Sequence, residues 1–219
     1  MSENRYNASI RAIGMPPSIA RLPISPQGFP TPWFVHFGED GIPDFRVIGR
    51  NKMRDAVKHK LCWVCGEPLY PKRQALVLGP MCAINRTISE PASHPGCAIY
   101  SVTACPFLSK PGMRRNEKDL PDHVPATGIG IKRNPMAAAV WITDKVTPFA
   151  VDGGILFTFS DPIYVRWYSE GRTATRAEVD HSIGTGLPLL MEAAVKEGPD
   201  AIAALNLMVR QAQKYLPAA

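Results

Sequence analysis

Cys62-Trp-Val-Cys65-Gly66-Glu-Pro-Leu69 and, further on, His94-Pro-Gly-Cys97 decide how this 219-residue chain is read. Two cysteines separated by two residues and followed by Gly predict a tight knuckle in which both thiolates face one ion. Gly66 supplies the positive φ that such a turn needs at no steric cost. The second pair opens an apolar segment. Ser93 is the expected N-cap, Pro95 is tolerated in a first helical turn, and Ala98 to Cys105 continue at helical spacing. On that helix His94 and Cys97 are three apart and share one face, so they complete a tetrahedron begun by Cys62 and Cys65. The 28 residues between the pairs leave room for a hairpin, with Gln74–Leu78 as an apolar strand punctuated by Gly79-Pro80.

The expected ion is Zn2+, which three thiolates and an imidazole suit. Cys82 is the reserve candidate for the fourth position in place of His94, whereas Cys105 reads as a small buried hydrophobe about two helical turns beyond Cys97. Five unrelated core cysteines would not be expected to crowd into residues 62–105. A disulfide framework fits poorly, because the count is odd and no signal-peptide pattern opens the sequence.

A knuckle, a hairpin and a helix whose first turn carries the second ligand pair resemble the treble-clef zinc finger over residues 60–108. Leu61-Cys-Trp-Val-Cys-Gly66, Gly79-Pro-Met-Cys82, His94 with Cys97, and Cys105-Pro-Phe-Leu108 also resemble a family of proteins encoded by bacteriophages and actinobacteria. The first resemblance implies a zinc-held module and leaves function open, since such modules serve many activities. The second implies a phage or bacterial cytoplasmic setting and no particular activity.

Composition bounds the remainder. Proline, at 22 of 219 residues, is about double the usual share and concentrates in the first two thirds, which predicts irregular backbone there. The net charge of +6 divides into +4 for residues 1–61, +4 for 62–135 and −2 for 136–219. A basic front suits a phosphate-bearing partner. No apolar run reaches the roughly 18–20 residues of a membrane helix, so a soluble, cytoplasmic protein is expected.

The chain therefore reads as α+β in four parts. Residues 1–61 form an irregular N-terminal region with an extended strip at Ile19–Ile24, a hairpin from residues 32–37 and 45–48, and a short helix of residues 52–60 capped by Asn51. Residues 62–108 form the zinc-binding module, and residues 109–135 a basic loop. Residues 136–219 read as an antiparallel meander of strands near 139–143, 146–151 and 155–159, with a fourth at 164–168. A capping box at Thr175-Arg-Ala-Glu178 then starts a helix that Gly184-Thr-Gly186 should break, and another resumes from Leu187. Pro199 opens the last amphipathic helix.

The expected function is binding. Zinc is a staple, and the basic front contacts nucleic acid or a nucleic-acid-processing complex through Lys72, Arg73, Arg86, Arg114 and Arg115, with Trp63 as a stacking surface. The alternative is a phage-type protein–protein adaptor or inhibitor of a host protein. A metal-dependent hydrolase or nuclease is more distant: residues 70–82 contain no His, Asp or Glu for the catalytic position of a treble-clef nuclease. Deaminase signatures are absent. Asp180 and His181 are adjacent on a helix and face different sides. No catalytic residue is assigned.

Overall fold

The computed structural model describes residues 5–110, 112–116, 118 and 133–218. The fold is α+β, with antiparallel sheets and a C-terminal helix pair. The N-terminal region contains α1 (Pro17–Ala20) and the strands β1 (Val35–Phe37) and β2 (Pro43–Ile48), followed by α2 (Lys52–His59). The ligand region holds β3 (Gln74–Leu78), α3 (Pro80–Asn85), β4 (Thr87–Ile88), α4 (Pro95–Ala104) and α5 (Pro106–Ser109). Beyond it lie β5 (Ala138–Thr143), β6 (Val146–Val151), β7 (Gly154–Phe159), β8 (Tyr164–Ser169), β9 (Arg172–Thr173), α6 (Arg176–Glu197) and α7 (Pro199–Ala212).

β5 is the axis of the molecule. Its near-continuous apolar run is buried at all six positions, because both of its faces are covered. It lies between β3 and β8 in a sheet ordered β3-β5-β8-β9, every pairing antiparallel. A second sheet, β4-β7-β6, carries the other strands of the C-terminal part. Successive side chains of β5 point to opposite faces. Ala139 and Trp141 join Leu76, Leu78, Phe157, Phe159 and Val179 in the core between the two sheets and α6. Ala138, Val140 and Ile142 face Ala98 and Val102 of α4. The helix that begins at the second ligand pair is thus fastened to the central sheet.

Local reading and structure differ where distant partners intervene. The apolar strand Gln74–Leu78 does not close a hairpin with its sequence neighbours; it takes β5 as partner, and the chain turns into α3 at Pro80. The extended strip expected at Ile19–Ile24 is replaced by the helical turn α1 and an isolated bridge between Ile24 and Pro30. Asn51 precedes α2 in a left-handed conformation, φ 64°, and its side chain makes no cap. Gly184-Thr-Gly186 does not break α6, which runs unbroken through Pro188. A proline ring collides with the carbonyl four residues earlier. Here that residue is Gly184, and the helix continues past it. Gly186 packs closely on α3, since a Cβ there would lie 3.0 Å from Cγ of Met81.

Arg86 locks the C-terminal end to the core. Its guanidinium carbon lies 4.5 Å from the Trp141 ring centre and 4.9 Å from that of Tyr215, with Phe159 at 5.8 Å. It also donates to Asp161 Oδ1 at 2.9 Å, while Trp167 Nε1 donates to the Tyr215 carbonyl at 2.8 Å. A cation over several aromatic faces contributes about 0.5–2 kcal/mol, more when shielded from water. Arg86→Ala should lower unfolding free energy by about 2 kcal/mol in urea titrations without changing metal content.

The start of α6 supplies a pH-dependent contribution. Thr175 and Glu178 form the reciprocal capping box, and Arg172 donates to both Glu178 oxygens at 3.1 and 2.7 Å. These bonds, Arg172 first and the Thr175 amide next, hold the Glu178 carboxyl down at about 2. A depressed folded-state pKa means stability that is fully present above the unfolded value near 4.5 and is lost as pH falls toward 2. The stability gap between the parent and Glu178→Gln, which keeps the cap and loses the charge, should shrink steadily between pH 5 and 2 in parallel denaturant titrations.

Candidate metal centre

The knuckle is set by backbone hydrogen bonds. The Cys62 amide donates to the Glu67 carbonyl at 2.7 Å, and the Gly66 amide donates to the Cys62 carbonyl at 2.9 Å. Gly66 takes φ 74°, and a Cβ there would lie 2.5 Å from Trp33 ring atoms, so both its conformation and its neighbour require glycine. Trp33 donates its amide to the Val64 carbonyl, and Phe34 stacks on Trp63 at 4.7 Å. The N-terminal region packs onto this knuckle: Ile10, Ile19, Cys62, Val64, Cys97, Tyr100 and Ala104 share one buried cluster.

Ser93 is not the N-cap of α4. Its amide and carbonyl are both engaged by Ala75 of β3, at 2.7 and 2.8 Å, which keeps it extended. His94 therefore occupies the N-cap position and Cys97 the third helical position. One ligand atom each from Cys62, Cys65, His94 and Cys97 lies within 4.8 Å of all the others. Cys62, His94 and Cys97 are buried, and Cys65 is half-buried.

These residues fit a tetrahedral metal ion. Zinc–sulfur bonds of about 2.3 Å require sulfur atoms about 3.8 Å apart, within the observed spread. Nε2 of His94 lies 2.9 Å from the Pro68 carbonyl, which can only accept, so Nε2 carries the proton. The lone pair is left on Nδ1, which lies 3.3 Å from Cys65 Sγ and faces the cluster. A second-shell carbonyl that fixes an imidazole in this way is a common partner of metal-ligating histidine.

Charge leads to the same requirement. Thiol contacts from Cys65 and Cys97 hold the Cys62 thiol far below its ordinary value, helped by amide donors from Cys65 at 3.5 Å and His94 at 3.3 Å. The same contacts push Cys65 and Cys97 upward. A divalent ion bound here would displace the thiol protons, and the first turn of α4, positive at its amide end, would face the resulting charge.

The other sequence candidates separate clearly. Cys82 lies on α3 outside the cluster, packed against the main core, and burial raises its thiol to about 11. Cys105 caps the end of α4, away from the four ligand atoms, with its thiol raised by burial. Trp63 is 3 % exposed and stacked on Phe34, so it offers no surface to a base. Arg86 is held in its aromatic box and paired with Asp161. Arg115 is half-buried and donates to the Arg46 carbonyl at 2.7 Å. Lys72, Arg73 and Arg114 are exposed. Of the basic loop expected at 109–135, residues 111, 117 and 119–132 lie outside the described residues. Tyr70, which the sequence did not single out, tilts against the His94 ring at 4.7 Å.

Comparison with protein-family models, with curated proteins and with solved structures finds no match. Among the described residues, no helix is long and apolar enough to cross a membrane.

Cys62→Ser, Cys65→Ser, Cys97→Ser and His94→Ala should each abolish metal retention. Cys82→Ala and Cys105→Ala should keep the metal and cost packing on the order of 1 kcal/mol. Elemental analysis of protein purified without chelator reads both outcomes.

Proposed function

We propose that this chain is a zinc-stapled binding protein that contacts nucleic acid, or a complex that processes it, through exposed basic residues. The observation that carries the first half is the complete Cys3His donor set, built into the core and fixed by the Pro68 carbonyl and two backbone amides. Structural zinc sites are closed by four protein ligands, whereas catalytic ones keep a position for water or substrate. The zinc module is similar in ligand order to a treble clef, with its strand recruited into the central sheet.

The surface gives catalysis little support. Shallow depressions lie at Ala174–Asp180 with Pro217 and along Leu189–Glu197, remote in sequence from the cluster. In the first, Asp180 is held by Arg176 at 2.9 Å, and the Thr175 hydroxyl is taken up by the capping box with Glu178. The binding reading rests on the exposed Lys72, Arg73 and Arg114 and on the basic charge of residues 1–135. A protein-partner reading, adaptor or inhibitor, is favoured by the β1–β2 hairpin, where Phe37, Ile42, Phe45 and Ile48 are all exposed.

Protein purified without chelator should contain one zinc per chain, and chelation should unfold the ligand region, since site assembly in small zinc modules contributes on the order of 10 kcal/mol. Labelled oligonucleotides should bind at low salt, with affinity falling steeply as KCl rises. Neutralising Lys72, Arg73 and Arg114 should flatten the slope by up to about three contacts' worth. No binding to DNA or RNA at low salt would transfer the function to a protein partner; salt-insensitive capture blocked by Phe45→Asp would then identify the hairpin.

A further inference from the structure

Beside the metal cluster the structure gathers a second set of groups. The segment after the knuckle, Pro68-Leu-Tyr70-Pro-Lys72-Arg73, runs next to the end of α2: Leu61 bridges Pro68, and the Leu69 amide donates to the Lys60 carbonyl at 2.8 Å. Two exposed stretches, Lys58–Lys60 and Tyr70–Arg73, are thereby brought together.

Tyr70 stands out on this surface. Tyrosine usually buries its ring and leaves only its hydroxyl wet. Here the residue is 61 % exposed, more than any other aromatic side chain among the described residues. Its ring is nonetheless held in place. The His94 imidazole lies against one side at 4.7 Å, and Pro71 follows immediately with Lys72 in a left-handed turn, φ 64°. The Pro68 carbonyl is bonded to the same imidazole. The metal ligand therefore serves as a back support for an open aromatic face.

The neighbouring cations, Lys58, Lys60, Lys72 and Arg73, are all exposed and make no ion pair with any of the described residues. Glu67, the acid within the same turn, is occupied by Arg21. Other cations are neutralised or stacked: Arg54 on Asp55, Lys52 on the Trp33 ring at 4.1 Å. An open aromatic face on a segment that carries Lys72 and Arg73 and runs beside Lys60, with Lys58 in the same exposed stretch as Lys60, attracts a partner that offers a planar ring and repeated negative charge together. An unstacked nucleotide has both, whereas a duplex hides its base faces.

Resting on the nucleic-acid reading above, we infer that Tyr70 is a base-stacking platform of a single-stranded nucleic-acid site, with Lys58, Lys60, Lys72 and Arg73 as its phosphate contacts. Sequence preference is weak, because every base presents a π face. The zinc cluster contributes by holding the imidazole that backs the platform.

The test uses the full chain with its metal and fluorescence anisotropy of a labelled oligo(dT) of about 20 nucleotides, long enough for a compact single-strand site. An oligo(U) and a duplex of equal length serve as further probes. Tyr70→Ala should weaken oligo(dT) and oligo(U) about tenfold, the scale of one lost stack, and leave the duplex unchanged. Tyr70→Phe should stay within about twofold of the parent, since the ring carries the contact. The combined Lys58→Gln, Lys60→Gln, Lys72→Gln and Arg73→Gln variant should weaken all three probes and flatten their salt dependence. Zinc content of each variant separates loss of the site from loss of the fold. Equal oligo(dT) affinity in Tyr70→Ala and the parent, preference of the parent for duplex, or equally tight binding of polyglutamate overturns the platform and leaves the zinc staple standing. If the zinc-loaded parent binds no probe at low salt, the nucleic-acid reading falls and the platform with it.

Discussion

Three thiol sulfurs and an imidazole nitrogen gathered within 4.8 Å of one another form a donor set that one divalent cation can hold. Thiol contacts and two amide donors pull the Cys62 thiol below its ordinary value, and the neighbouring thiols together with burial push Cys65 and Cys97 upward. A divalent cation would bind by displacing the thiol protons. Much of the N-terminal half packs on these residues. Ile10, Ile19 and Tyr100 pack around Cys62 and Cys97, so the proline-rich leading segment, which forms few regular elements, obtains its hydrophobic anchorage from the ligand residues themselves. Chains this irregular lose considerable conformational entropy on ordering, and a pre-assembled metal cluster lets a small core suffice.

The cluster is joined to the other half through backbone as well as side chains. Ser93, immediately before His94, exchanges both hydrogen bonds with Ala75 of β3, while Ala98 and Val102 of α4 pack on the face of β5 that carries Val140. The ligand helix is thus positioned by a strand from its own region and by one from far down the chain. Trp141, on the opposite face of β5, continues the connection to Arg86 and Tyr215.

How much of this could be read from sequence follows from range. The four ligand atoms are supplied by two short local patterns whose spacing limits what they can do, and those patterns were visible. So were the capping box at Thr175 and the apolar strand at Gln74–Leu78, each a local signal. What failed depended on partners far away in sequence. Ser93 has good N-cap chemistry, but its backbone is recruited by Ala75 and the cap moves to His94. Gly184-Thr-Gly186 looks like a helix break locally, yet α6 runs through it and Gly186 packs against Met81 of α3. Trp63 and Arg86 have the composition of nucleic-acid contacts, yet one is covered by Phe34 and the other by three aromatic rings. Tyr70 was passed over because a tyrosine among prolines carries no signal of exposure; only the His94 contact shows why it stands out from the surface.

The long connection between β3 and β5 also orders events during synthesis. All four ligand residues have been made once Cys97 leaves the ribosome, whereas Leu78 waits for Ala139, about 42 residues after Cys97. At ordinary elongation speeds that interval is on the order of 2–8 s. For those seconds the nascent chain holds a complete donor set beside a strand whose hydrogen-bonding edge is still open. Metal capture can therefore come before sheet closure, while the open edge of β3 persists until β5 has been made.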